Sequence, residues 1–170
     1  MQEYFDVVDD EGNVIGKETR KKCHNGSKLL HPVVHIHVIN SSNKLLLQKR
    51  ALNKDIQPGK WDTSIGGHIQ AYELTTQAVI RESMEEAGIK IELSKLKNIG
   101  TYIFESEIEK EFVYSHIYFY DGPVEMQESE IDDLQFFTVG EIEKLIEQNC
   151  TTPNFIKEFG ILKDIYFTSK

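Results

Sequence analysis

Glu82, Glu85 and Glu86 stand within five residues of one another, just ahead of Gly88. Steps of three and four place such side chains on one side of a helix. Like charges so spaced cost a helix about 0.2–0.5 kcal/mol per pair, so the grouping needs a reason other than folding. A hard cation supplies one. Carboxylates, phosphate oxygens and water make up the usual Mg²⁺ shell, and an ion so held can polarise a phosphoryl group and activate water. Gly66 and Gly67 precede the helix and permit a close backbone approach that could aim a carbonyl at the ion. The plain alternative is a solvated acidic face. Against it stand the tight clustering and the lack of lysines at matching positions. Arg81 lies one turn before Glu85 and can pair with it or with Glu73.

Elsewhere the residues with chemical potential are fewer. His35 and His37 alternate with Val34, Ile36 and Val38, so the histidines share one strand face and the aliphatic residues the other. Hydrogen-bonded structural histidines are favoured there over metal ligands, and a place facing a cleft is a third option. Cys23 and Cys150 are the only cysteines, which excludes a disulfide framework or a four-thiolate zinc site.

The elements that must position these groups are legible in outline. Residues 3–8 and 13–18 read as strands around the turn Asp9-Asp10-Glu11-Gly12, followed by a basic run, Arg20-Lys21-Lys22, in a solvated loop. Residues 31–50 read as a hairpin about Ser41-Ser42-Asn43, and 51–60 as a polar loop leading to Trp61 and the glycine pair. After the glutamate helix come strands over 96–108 and 111–120, an acidic loop, and a short strand at 131–137. Thr138 and Glu141 form a capping box for a helix through about Gln148, and Thr152-Pro153 opens a last packing helix to which no chemistry is assigned. On a wheel from Leu74, Glu82, Glu85 and Glu86 fall at about 80°, 20° and 120°, while Val79, Ile80, Ser83, Met84 and Ala87 span about 140° to 280°. That predicts an apolar stripe packed inward and carboxylates facing outward. The mixed order of strands and helices predicts an α+β fold with helices flanking a mixed or antiparallel sheet.

The 170 residues suit one domain over 1–170, with 39% hydrophobic and 28% charged residues. The formal net charge of −9 argues against a nucleic-acid polymer as partner, since that requires a basic face. The absence of a long apolar run and of a basic leader predicts a cytoplasmic protein with no membrane partner.

Gly67, five residues, Glu73, seven residues, then Arg81-Glu82-Ser83-Met84-Glu85-Glu86-Ala87-Gly88-Ile89 is similar to the complete Nudix box, with only Ser83 departing at a usually apolar position. The resemblance implies an α/β/α sandwich with a mixed sheet and a loop–helix–loop motif. It implies hydrolysis of a nucleoside diphosphate linked to another moiety, with Mg²⁺ or Mn²⁺ as cofactor and a small phosphorylated substrate as partner. It also implies Glu82, Glu85 and Glu86 as metal ligands, one of them accepting a proton from water, with the Gly66 carbonyl as a further ligand. Glu73 and Arg81 would orient the loop. A later carboxylate commonly joins the set; Glu130 is the candidate and Glu111 its competitor.

Residues 4–120 also resemble the isopentenyl-diphosphate isomerase branch of the family. That branch holds a metal with three histidines, matched by His24, His31 and His68, and grips diphosphate with basic residues matched by Arg50 and Lys54. Glu109 and Glu111 align loosely with its acidic pair. Its catalytic cysteine, however, is replaced by Gly66, and here the hydrolase carboxylates are intact. The expectation is therefore a Mg²⁺-dependent pyrophosphohydrolase on an isomerase-like frame. His24, His31 and His68 then form a second metal site or are cleft residues with structural or substrate-binding work. Isopentenyl-diphosphate isomerisation and noncatalytic nucleotide sensing are the alternatives.

Overall fold

The strand β3 (Leu30–Ile39) is buried at every position, as a strand covered on both faces must be. In the computed structural model, which describes residues 2–54, 56–126 and 131–168, it is the axis of a seven-stranded mixed sheet. β4 (Leu45–Arg50), β5 (Trp61–Asp62), β6 (Ile65–His68), β7 (Lys97–Glu105), β8 (Lys110–Phe119) and β9 (Ile131–Phe137) complete the sheet. A separate antiparallel pair, β1 (Tyr4–Val8) and β2 (Val14–Thr19), lies outside it.

The hairpin expected at 31–50 forms, with Asn43 in the left-handed region at φ 58°, but its strands pair only at Ile39↔Leu45. Beyond that point they part. β3 continues against β6, with His35 opposite Gly66, and lies parallel to β8 along its length on the other side. β4 turns to β9 and β5. Gln48 and Arg50 on β4 and Gly66 and Gly67 on β6 face the cleft that this divergence leaves.

Alternation along β3 divides the core as the sequence predicts. Val34, Ile36 and Val38 join Ile65, Val79, Ala87 and Ile89 under the helix α2 (Thr75–Ala87). On the opposite face, Ile39, Leu45 and Leu47 pack with Ile142 of α3 (Val139–Glu147) and with Phe155, Phe159 and Leu162 of α4 (Pro153–Leu162). The result is the expected α/β/α sandwich. At the start of α3, Thr138 Oγ1 accepts the Glu141 N–H at 3.3 Å and Glu141 Oε2 accepts the Thr138 N–H at 2.7 Å, which completes the capping box. α2 ends at Gly88, φ 63°, where a Cβ would stand 2.9 Å from Glu125 Cβ. None of the described helices is long and apolar enough to cross a membrane.

Two expectations are corrected. The basic run is a single helical turn, α1 (Arg20–Cys23), rather than an open loop, because Thr19 caps it by accepting the Lys22 N–H. The face of α2 is also rotated from the predicted one. Ile80 and Met84 are exposed, whereas Ala78, Val79, Glu82, Ser83, Glu86 and Ala87 are buried. The inward face thus includes two of the three glutamates, and its charge has to be accommodated by what lies beneath.

Candidate active site

Beneath α2 lies β6, and the glycine pair makes the accommodation possible. A Cβ on Gly67 would overlap the Glu82 carboxyl. Glu86 Oε2 accepts the Gly66 N–H at 3.0 Å and Gln48 Nε2 at 3.1 Å. Glu85 is half exposed at the cleft mouth. Burial raises the Glu82 carboxyl above its ordinary value, against the pull of the Arg81 guanidinium.

Arg81 grips Glu73 bidentately, with Nε and Nη2 both 2.8 Å from its oxygens. Its Nη1 lies 2.6 Å from Glu82 and 3.4 Å from Glu85, and its Nη2 donates to the His68 carbonyl at 3.0 Å. The residue therefore ties the loop before α2, the glutamate face and the end of β6 to one another. Burial would raise Glu73, but the Arg81 hydrogen bonds, the Gln70 N–H and the Arg81 charge together outweigh it and hold the carboxyl below its usual range.

At the end of β6 the chain assembles a second cluster. One ligand atom from each of His24, His31, His68 and Glu109 lies within 4.8 Å of all the others. His24 Nδ1–H donates to the Arg20 carbonyl and His31 Nδ1–H to the Leu29 carbonyl, both at 2.9 Å, leaving each Nε2 as the outward lone pair. His24 Nε2 is 3.0 Å from both His68 Nε2 and Glu109 Oε2. His31 Nε2 is buried without a hydrogen-bond partner. Phe5 of β1 stacks on His68 at 4.5 Å. Burial pushes the His68 and His31 imidazoles below their ordinary value, which favours the neutral, ligating form. Three imidazole nitrogens, one of them the orphaned His31 Nε2, and a carboxylate fit a transition-metal ion. Glu111 is 3.9 Å from His68, and burial together with the Glu109 charge pushes its carboxyl up to about 7. Glu111 thus belongs beside the histidines rather than with the helix carboxylates. Glu130 lies outside the described residues.

The remaining candidates surround a cleft of about 1110 Å³, roomy for a nucleotide-sized ligand. Arg50 donates to the Ile56 carbonyl at 3.0 Å and to Asp62 at 3.3 Å, so its guanidinium is fixed at the cleft wall. Lys54 lines the same wall. His35 and His37 are not ligands of the cluster; both converge on Glu158 of α4, at 2.7 and 3.0 Å. Sequence reasoning assigned α4 no role and missed Glu158, Phe5 and Gln48. The one available signal was the in-phase pair His35 and His37, which on a buried strand requires an acid or carbonyl partner.

A family model described as the NUDIX domain matches residues 29–159. A Yersinia pestis protein named as an uncharacterized Nudix hydrolase is 30% identical, over 94% of this chain and 85% of its own length. A Burkholderia multivorans isopentenyl-diphosphate Δ-isomerase is 36% identical, over 73% of this chain and 71% of its own. Among solved structures, a Deinococcus radiodurans protein superposes with a TM-score of 0.76 at 21% identity, covering 88% of this chain and 92% of that one.

Proposed function

The chain belongs to the Nudix hydrolase family, and from that premise we propose that it is a Mg²⁺- or Mn²⁺-dependent pyrophosphohydrolase. Its substrate is a nucleoside diphosphate derivative or a related small molecule, cleaved at the diphosphate linkage. The observation that carries the reading is the inward turn of Glu82 and Glu86 onto the Gly66–Gly67 strand, with Glu85 at the mouth of the same cleft.

In this reading Glu82, Glu85 and Glu86 hold the divalent ion, which when bound neutralises diphosphate charge and makes water a better nucleophile. One of these carboxylates accepts the proton of the attacking water. Arg81 and Glu73 keep the three acids in register with β6, and Arg50 and Lys54 hold the anionic substrate from the facing wall. His24, His31, His68 and Glu109 hold a second metal ion.

The histidine cluster also favours a second reading, isopentenyl-diphosphate isomerisation. The place of that enzyme's thiol speaks against it. Gly66 occupies the position, and a Cβ there would stand 3.2 Å from His35 Cδ2, so the ring crowds the space a cysteine needs.

The deciding experiment is a chromatographic assay for release of phosphomonoester, pyrophosphate or phosphate products, with Mg²⁺ and with Mn²⁺, over nucleoside di- and triphosphates, nucleotide sugars, dinucleotides and prenyl diphosphates. Release from at least one class is expected, and silence across the panel would overturn the hydrolase assignment. Deuterium incorporation from heavy water into isopentenyl diphosphate, without phosphate release, would establish the isomerase instead.

A further inference from the structure

Glu158 lies on the layer of helices opposite α2, yet it is only 1% exposed. Four side chains converge on its carboxylate. His35 Nδ1 is at 2.7 Å, His37 Nε2 at 3.0 Å, Ser115 Oγ at 2.7 Å and Thr63 Oγ1 at 3.2 Å. They come from β3, β8 and the link between β5 and β6. A buried ion pair is a weak device for net stability compared with well-packed apolar side chains. What such a pair does supply is orientation.

The ring oriented most closely on the cleft is that of His35. Its Nδ1 is turned toward Glu158, so its Nε2 edge is turned away from α4. That edge lies along Gly66, where a built Cβ would stand 3.3 Å from Nε2 and 3.2 Å from Cδ2. His35 lines the cleft together with Gly66, Thr63 and Asn154. The arrangement follows a general rule for carboxylate–imidazole pairs. The acid fixes the ring through one nitrogen and leaves the far nitrogen for the ligand.

We propose that His35 is a substrate-contacting residue whose Nε2 edge hydrogen-bonds a diphosphate oxygen beside Gly66, and that Glu158 is the positioning residue that aims it. The proposal rests on the pyrophosphohydrolase reading only for the chemistry of the ligand. It gives α4 a role at the site and accounts for a glycine rather than a larger residue at position 66, because a side chain there would screen the imidazole from the cleft.

Two substitutions separate contact from support. H35N keeps an amide N–H where Nδ1 stands, so it can still bond Glu158, but it lacks the far nitrogen. H35Q reaches toward the position of Nε2 but gives up the Glu158 bond. Inorganic diphosphate is titrated calorimetrically into each variant with Mg²⁺ present, and thermal unfolding is followed in parallel. The expected result is that H35N, which keeps a bond to Glu158 but not the imidazolium charge, lowers the unfolding midpoint less than H35Q does and loses about tenfold in diphosphate affinity, the equivalent of one charge-assisted hydrogen bond. H35Q should lose thermal stability while retaining more affinity than H35N. A purely supporting role predicts the reverse order, with affinity following the midpoint.

Wild-type affinity in H35N would overturn the proposal, as would a wild-type protein that binds no diphosphate. If H35N fails to fold, H35Q decides alone. Retained affinity at a lowered midpoint supports the contact, and affinity lost in step with the midpoint overturns it. Failure of the hydrolase reading is distinguishable, because it shows in the release assay. Diphosphate binding that is weakened in H35N but accompanied by no turnover would leave this contact standing and remove that reading alone.

Discussion

Glu82 lies so close to Gly67 that the space for a Cβ on the glycine is already filled by the glutamate carboxyl. The contact explains why a helix can turn a charged residue inward here, since the strand beneath it has no side chain at the point of approach. Gly67→Ala must therefore displace Glu82 or β6. Overpacking of this kind costs about 1–3 kcal/mol. The expected outcome in denaturant unfolding is a lowered midpoint, together with loss of most phosphate release. Gly66→Ala meets His35 at 3.2 Å and should cost less. Equal stability of Gly67→Ala and the wild type would show that the helix and strand are further apart than described.

The three box glutamates are not equivalent in their surroundings. Glu85 is half exposed and, among the described residues, pairs at 3.4 Å with Arg81, whereas Glu86 accepts hydrogen bonds from Gly66 and Gln48. Glu85→Gln should leave the thermal midpoint unchanged and lower kcat by about 100-fold or more. Glu86→Gln keeps an oxygen for the Gly66 N–H, so its stability loss should stay within about 1 kcal/mol while kcat falls comparably. Unchanged kcat in both variants would remove the carboxylates from the chemistry.

His31 Nε2, buried and unpartnered, is the atom most in need of an ion. Zinc titration against a competing chelator should give one tight equivalent per chain, lost in His24→Gln and His68→Asn but retained in Glu85→Gln. At a hundredfold excess over Kd, the ion should stabilise the fold by about 2.7 kcal/mol, read as a raised thermal midpoint. The same stoichiometry in His24→Gln as in the wild type would place the metal elsewhere.

Much of this molecule is legible in its sequence because the constraints involved are local. The Thr138–Glu141 box, Asn43 in its turn, Gly88 at the end of α2 and the alternation along β3 each depend on neighbours within a few residues. The box residues were legible by spacing. The side of α2 that turns inward was not, because hydropathy treats Glu82 and Glu86 as outward residues, whereas Gly66, Gly67 and Gln48 supply a polar floor. Glu158 was hidden for a different reason. It stands 123 residues from His35, in a helix whose apolar pattern is fully explained by packing. Local periodicity does not reveal an acid whose partners are His35 and His37 within β3, Ser115 within β8 and Thr63 between β5 and β6.

That buried acid gives stability a specific dependence on pH. Burial would raise Glu158, but the His35 and His37 imidazoles outweigh it and hold the carboxyl well below its ordinary value of 4.5. A group depressed on folding contributes fully above its unfolded value and loses that contribution as pH falls through its folded one. Burial would likewise lower His35, but the charge and hydrogen bond of Glu158, with the Glu111 and Asp62 charges, outweigh it and raise the imidazole from 6.5 to about 9. A group raised on folding contributes fully below its unfolded value and loses that contribution as pH climbs through its folded one. The two contributions overlap between 4.5 and 6.5, where unfolding free energy from urea titrations should be greatest, with one decline on the acid side and another toward pH 9. Glu158→Gln should flatten both declines and lower the plateau. Glu158→Ala, which leaves four polar side chains without their common partner, should cost about 3–5 kcal/mol. Because Glu111 and Asp62 also raise His35, part of the alkaline decline should survive in Glu158→Gln, and an undiminished decline toward pH 9 would assign that limb to a group other than His35.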